Sequence, residues 1–211
     1  MNFLILKKHI KQLSNAETGG LKAQFKLAPD IRKEFSEEKI KASNPRKAGV
    51  LAIFYPDTKG ELHILLTLRA SYKGVHSAQI SFPGGKLDPK DSSLQHTALR
   101  EAKEEVGIAE KDITIFKKMT EVYIPPSNFI VTPFLSYLDY TPKFTKNYEV
   151  EALIEVKLSD LLSDSAVSST ILSTSYAKEI NVPCFKLNNY IVWGATAMML
   201  NEIKELIKII S

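Results

Sequence analysis

Cysteine and long apolar runs are scarce in this sequence of 211 residues. One cysteine cannot form a disulfide within the chain, so a small secreted scaffold held by disulfides is excluded. The apolar run at residues 3–6 is too short for a signal peptide, and the apolar stretch at residues 191–200 is about half a membrane span. We therefore expect a cytoplasmic protein that does not bind membranes.

The chain also has only a small excess of positive charge, with a formal net charge of +4. Residues 1–50 hold eleven Lys and Arg against five acidic residues, while the other 161 residues sum to −2. Such a basic segment can attract anionic ligands, although a solvated helix surface is the simpler explanation. Because aromatic residues do not alternate with these basic residues, we expect no nucleic-acid partner.

The hydrophobic pattern predicts a domain of mixed α and β structure, residues 46–211, and an N-terminal helical extension, residues 1–45, that packs on it. Asp30 is the expected N-cap of the second of two helices in the extension, and Gly107 the expected end of the first helix in the domain. The predicted strands cover residues 48–56, 61–70, 112–123, 129–138, 150–157 and 181–192. The predicted helices cover residues 1–15, 30–43, 92–106 and 194–209, with a short one from about residue 159.

The most informative stretch is an acidic helix. At about 100° per residue, three apolar residues share one face, which we expect to be buried: Leu99, Ala102 and Val106. Three carboxylates share a face roughly opposite, which we expect to face solvent: Glu101, Glu104 and Glu105. These carboxylates repel one another, and a bound Mg²⁺ or Mn²⁺ would offset the repulsion, because both cations prefer carboxylate oxygens as ligands. For the ExxEE motif in isolation, an ordinary exposed acidic face is the simpler alternative.

Other residues around this helix make the pattern rarer. Gly84 and Gly85 precede it, and paired glycines let a backbone turn tightly and approach a ligand. An acidic residue, Asp91, follows them, and Arg100 stands directly before Glu101.

Residues 84–108 resemble the signature box of Nudix hydrolases: a glycine, an acidic residue, Arg-Glu, two residues, Glu-Glu, one residue and Gly. The sequence has one residue more before Arg100 than the common form, and Asp91 stands where glutamate is usual. Residues 65–88 are similar to the segment that marks the coenzyme A pyrophosphatase branch, which shares the shift and the aspartate. Residues 149–151 and 190–197 also resemble that branch.

The resemblance implies a Nudix-type α/β/α sandwich with a mixed sheet, and a pyrophosphohydrolase that uses Mg²⁺ or Mn²⁺. It implies cleavage of coenzyme A or acyl-coenzyme A to adenosine 3′,5′-bisphosphate and (acyl-)phosphopantetheine. The alternatives are hydrolysis of another nucleoside diphosphate derivative such as ADP-ribose, or a non-catalytic nucleotide-binding module. The intact carboxylate set argues against the last of these. The expected partner is a small nucleotide substrate, and a homodimer stays open.

The resemblance also implies roles for particular residues. The expected metal ligands are Glu101, Glu104 and Glu105. The expected catalytic residues are Glu104, Glu105 and Glu149; Glu104 could instead orient the attacking water, and Glu149 could be a further ligand, the general base or a solvated loop acid. The expected substrate-binding residues are Arg69, Gly84, Gly85 and Lys86. The expected orienting residues are Arg100 and Asp91, with Asp88 the alternative to Asp91 if the extra residue loops out.

The sequence departs from the branch in the loop associated with coenzyme A recognition. Gly74 stands where the branch usually has arginine, and Ala78 where it has glycine. His76 lies in the same loop and is the one histidine that we would test. A cation for the 3′-phosphate of coenzyme A would come from Arg69, Lys73, Lys86 or the basic N-terminal segment.

Overall fold

A computed structural model describes residues 1–70, 79–172 and 179–211, so Lys73, Gly74, His76 and Ala78 lie outside the described residues. The described strands are β1 (Arg46–Pro56), β2 (Leu62–Arg69), β3 (Ile80–Ser81), β4 (Gly84–Lys86), β5 (Thr114–Lys118), β6 (Val122–Ile124), β7 (Phe129–Tyr137), β8 (Val150–Lys157), β9 (Val167–Leu172), β10 (Ile180–Leu187) and β11 (Tyr190–Trp193). The described α-helices are α1 (Phe3–Asn15), α2 (Gly20–Gln24), α3 (Asp30–Lys33), α4 (Glu37–Ala42), α5 (Leu94–Val106), α6 (Leu158–Leu162) and α7 (Gly194–Ile207). None of these described helices is both long and apolar enough to cross a membrane.

Strand β1 organises the main sheet. It pairs in parallel with β7 and antiparallel with β2 and β4, so the hairpin predicted for residues 48–70 is confirmed. Strand β2 also pairs with β3 and β8, and β7 pairs with β5 and β6. In the part of the chain that the structure describes, these eight strands form one mixed sheet, and β9, β10 and β11 form a second. The predicted mixed α/β fold class is confirmed.

Both faces of β1 are buried, because helices cover the sheet on both sides. Leu51, Ile53 and Tyr55 lie in the core that contains the apolar face of α5. Ala52 and Phe54, which alternate with them, lie in the core that contains α1 and α7. A strand has a side-chain period of two, so one uninterrupted apolar strand supplies both cores. The result is a layered α/β/α arrangement.

The N-terminal helices share a core with the rest of the chain. Leu6 and Leu13 of α1 are fully buried in the same cluster as α7. Gln24 of α2 donates from Nε2 to Glu202 Oε2 of α7 at 2.9 Å, and Thr120 donates to Oε1 of the same carboxylate at 2.6 Å. A buried carboxylate is stable only with such donors, so this contact fixes the N-terminal segment on α7.

The prediction of one helix over residues 30–43 is wrong, because the structure has two short helices there, α3 and α4. The Ser36 hydroxyl accepts a hydrogen bond from the Lys39 N–H and so begins a new helix. Asp30 is the first residue of α3, and its N-cap is Pro29, so the predicted capping role of Asp30 is also wrong.

The strand predicted for residues 112–123 is divided into β5 and β6, and α2, β3, β4 and β9 were not predicted. Strand β5 has a bulge against β7 between Ile115 and Lys117, and the pairing then stops before β6. The five residues of α2 are too few to show a helical period, and the serines of β9 weaken its apolar pattern.

We expect Leu6→Ala to lower the free energy of unfolding by about 2–4 kcal/mol, because it leaves a cavity in the core beneath α1. Leu4→Ala in the same helix is the matched control: Leu4 is 71% exposed, so its effect should stay within about 0.5 kcal/mol. Denaturant unfolding measures both changes. Equal effects would contradict the packing of α1 on the domain.

Candidate functional site

Helix α5 begins and ends at well-defined caps. The Ser93 hydroxyl accepts a hydrogen bond from the His96 N–H at 3.1 Å. Gly107 follows the last turn with φ +75°, a left-handed conformation that glycine adopts without strain. The predicted helix and its glycine end are therefore confirmed. Its apolar face packs on β1. Its Glu101 and Glu105 side chains meet β4, which is itself paired with β1.

Glu105 is 2% exposed, so the expectation that the whole acidic face lies in solvent is wrong. Its Oε2 accepts a hydrogen bond from the Gly84 N–H at 3.0 Å, and Oε1 lies 3.4 Å from Arg69 Nη1. Burial raises the pKa of Glu105 to about 7, although the Gly84 N–H and Arg69 favour the charged form. The backbone of β4 covers the Glu105 side chain. This contact joins distant parts of the chain, so the periodicity of the helix alone could not predict it.

The other two carboxylates differ in exposure. Glu101 is largely buried, and a Cβ on Gly85 would collide with its carboxyl group. Its Oε1 accepts from Arg100 Nη1 at 2.8 Å, and burial raises its pKa. The Glu104 side chain is 55% exposed and lies 3.4 Å from the same Arg100 nitrogen. Of the three carboxylates, Glu105 is therefore the most buried and Glu104 the most exposed, with Glu101 between them.

Arg100 is held by Asp91. Nε donates to Asp91 Oδ1 and Nη2 to Oδ2, each at 2.9 Å, and Thr97 donates to Oδ2 at 2.9 Å. The Asp91 side chain is almost completely buried, and these donors hold its pKa well below the usual range. Asp88 is exposed and contacts Asp91 through its backbone: its N–H donates to Asp91 Oδ2 at 3.0 Å, and its carbonyl accepts from the Asp91 N–H at 2.9 Å. The structure thus places Asp91, and not Asp88, against Arg100.

Arg69 connects the helix to a second acidic segment. Its Nη1 lies 3.4 Å from Glu105 Oε1, and its Nη2 lies 3.7 Å from Glu149 Oε2. Glu149 directly precedes β8, and its carbonyl accepts a hydrogen bond from the Ala70 N–H at 2.8 Å. The predicted candidates Arg69, Glu105 and Glu149 therefore lie together, although they are far apart in sequence.

A cleft of about 370 Å³ lies beside the loop that covers Glu105. Arg69, Gly84, Gly85 and Lys86 form its border with the acidic helix. Its apolar walls include Ile80, Tyr123, Phe129, Val131, Trp193 and Met198. The sequence did not predict Tyr123 or Phe129 as site residues, because the cleft joins segments from distant parts of the chain.

The NUDIX domain model matches residues 45–171, more than half of the chain. The chain belongs to the Nudix hydrolases, enzymes that hydrolyse phosphoanhydrides of nucleoside diphosphate derivatives. It is 33% identical over 171 residues to NudL of Yersinia pestis (strain Pestoides F), a Nudix hydrolase described as uncharacterized, and the match covers 80% of this chain and 82% of NudL.

Two solved structures show the same fold. The Nudix hydrolase RenU of M. smegmatis superposes with a TM-score of 0.56 at 16% identity, covering 79% of this chain and 88% of RenU. A MutT/nudix family protein of Enterococcus faecalis gives 0.51 at 11% identity, covering 84% of this chain and 71% of that one. The two superpositions support the Nudix fold, and at such low sequence identity they support no finer assignment.

Nudix hydrolases generally use divalent ions such as Mg²⁺ or Mn²⁺, and the donor chemistry of α5 fits them. Gly85 has no Cβ and leaves room for the Glu101 carboxylate. Among the described residues, however, no three His, Cys, Asp or Glu side chains are arranged as a preformed metal cluster. Arg69 and Arg100 contact the carboxylates, so ligation would require these contacts to change.

We expect Asp91→Asn to lower the free energy of unfolding by about 2–4 kcal/mol, because an asparagine NH₂ would face the donors of Arg100. Asp88→Asn is the control and should change it by less than about 0.5 kcal/mol, since Asp88 is exposed. Thermal or denaturant unfolding compares the two. The reverse order would assign the acidic position of the box to Asp88.

We expect Glu105→Gln to lower turnover about a hundredfold, as loss of an electrostatic stabiliser commonly does, and yet to stabilise the metal-free fold. Glutamine can still accept the Gly84 hydrogen bond but carries no buried charge. The pKa of Glu105 is raised from 4.5 to about 7, so ionisation costs the wild type stability as pH rises through this interval. The variant should therefore be more stable than the wild type by up to about 3 kcal/mol at about pH 8, and by much less below about pH 5.

Unfolding with a chelator present, at both pH values, measures the stability change. Equal stability differences at the two pH values would contradict the raised pKa. Unchanged turnover would remove Glu105 from the site.

Proposed function

We propose that this Nudix hydrolase cleaves the diphosphate of coenzyme A or acyl-coenzyme A. The products are adenosine 3′,5′-bisphosphate and (acyl-)phosphopantetheine. The resemblance of residues 65–88, 149–151 and 190–197 to the coenzyme A branch supports this substrate class. The observation that carries the proposal is the position of the apolar cleft directly beside the acidic helix.

The chemistry of coenzyme A matches this arrangement. Its diphosphate lies between an adenosine and a long pantetheine arm, so a site for it needs an anion-binding centre next to an apolar surface. Gly84, Gly85 and Arg69 form the border where these two environments meet. The cleft volume of about 370 Å³ lies within the range of small-molecule sites.

Glu101, Glu104 and Glu105 would hold the divalent cation, which neutralises phosphate charge and lowers the pKa of water. Arg69 and Lys86, at the border of the cleft, would bind phosphate oxygens. Arg100, fixed by Asp91, keeps the Glu101 carboxylate in place. Glu149 would accept the proton of the water that adds to phosphorus as the anhydride P–O bond breaks, because it lies near Glu105 and is partly exposed.

The test is hydrolysis of a set of diphosphates with Mg²⁺ or Mn²⁺. Coenzyme A should have a kcat/KM at least about tenfold above that of ADP-ribose, since one charged contact alone is worth about that much. Comparable values for the two substrates would overturn the coenzyme A assignment and favour a broad-range hydrolase of nucleoside diphosphate derivatives.

We expect Gly85→Ala to lower turnover at least about tenfold while keeping the fold, because its new Cβ would displace the Glu101 carboxyl group, the end of a flexible side chain. Gly84→Ala is the contrast: its Cβ would meet the backbone of Gly49 and Val50 at φ +151°, so it should lower stability itself. Steady-state kinetics and thermal unfolding separate the two effects. Full activity of Gly85→Ala would contradict a role for Glu101.

A further inference from the structure

Arg32 of α3 is a buried cation in the wall of the cleft. Its residue surface is 5% exposed, and it lines the cleft that Gly84 and Gly85 border. Among the residues that the structure describes, its Nε has no hydrogen-bond partner, and Nη1 reaches only the Phe35 carbonyl, at 3.4 Å. Within the described residues, no carboxylate forms an ion pair with it: Asp30 of the same helix pairs with Lys33 instead, at 2.9 Å.

Two aromatic rings hold the guanidinium in this position. Its central carbon lies 5.3 Å from the centroid of the Phe25 ring and 5.7 Å from that of Tyr123. Such contacts orient an arginine but do not neutralise it. Burial without a counter-ion disfavours the charged form, and the pKa of Arg32 is accordingly lowered. A buried, oriented cation with an unused donor is therefore suited to an anion that enters the cleft.

The other arginine of the cleft already has acidic partners. Arg69, at the end of β2, lies between Glu105 and Glu149. Arg32 instead contacts Tyr123 of β6, and β1 and β7 lie between β2 and β6 in the sheet. An anion bound by Arg32 is thus distinct from the one held at the acidic helix.

We propose that Arg32 binds a second anionic group of the substrate, a phosphate monoester separate from the diphosphate that is hydrolysed. The identification of this group as the 3′-phosphate of coenzyme A rests on the proposed function. Arg32 is then a specificity-determining residue. It belongs to the basic N-terminal segment, which was one of the expected sources of this cation, beside Arg69, Lys73 and Lys86.

Binding of two nucleotides that differ only in this phosphate tests the proposal without turnover. Adenosine 3′,5′-bisphosphate should bind the wild-type protein about ten- to a hundredfold more tightly than adenosine 5′-monophosphate in metal-free calorimetry. Arg32→Gln should remove this difference and leave the affinity for the monophosphate unchanged. Lys33→Gln, which removes a charge from the exposed side of the same helix, should retain it.

Arg32→Lys keeps the charge and covers the case in which the glutamine variant is poorly folded; it should recover part of the preference. Equal binding of both nucleotides by the wild type, no binding of either, or a preference that survives in folded Arg32→Gln would overturn the proposal. An equal loss of affinity for both nucleotides in the two Arg32 variants would also overturn it, since that indicates a purely structural role.

Hydrolysis assays separate this result from the proposed function. If ADP-ribose is cleaved as well as coenzyme A while the phosphate preference depends on Arg32, the coenzyme A assignment fails and the role of Arg32 stands. If coenzyme A is the preferred substrate and the preference survives in Arg32→Gln, the role of Arg32 fails and the proposed function stands.

Discussion

The site depends on the burial of a carboxylate against backbone that carries no side chains. Glu105 of α5 accepts the Gly84 N–H, and Glu101 fills the space that a Cβ on Gly85 would occupy. Strand β1 positions both partners, because α5 packs on it and β4 pairs with it from Ala48 to Val50. A change in that pairing would therefore move the helix and the loop relative to each other, and the carboxylates with them.

Arginine side chains compensate the charge gathered at this helix. Arg100 pairs with the buried Asp91 and with Glu101, while Arg69 contacts Glu105 from the opposite side. These pairs lower the cost of desolvating several carboxylates, but burial still raises the pKa of Glu105 to about 7. The metal-free site thus keeps unfavourable electrostatic energy that a divalent cation would relieve, which couples cation binding to stability.

Local patterns in the sequence predicted the parts of the structure that local forces determine. Helix α5, its Gly107 end and the β1–β2 hairpin follow from periodicity and turn residues that are close in sequence. The burial of Glu105 could not be predicted in this way, because it depends on β4, about twenty residues away along the chain. The cap formed by Ser36 is local, but it competes with an equally plausible continuous helix, and sequence reasoning chose the wrong one.

The proposed function divides the candidate site along the chain into a part for the reaction and a part for substrate selection. The segment that the family model matches, residues 45–171, contains the acidic helix, the glycine loop, Arg69 and Glu149. The cleft beside them is completed from outside this segment, by Arg32 before it and by Trp193 and Met198 after it. The buried contact of Gln24 with Glu202 holds these two flanking segments together. Under the proposed function, a change at Arg32, Trp193 or Met198 would therefore alter substrate selection and leave the acidic helix unchanged.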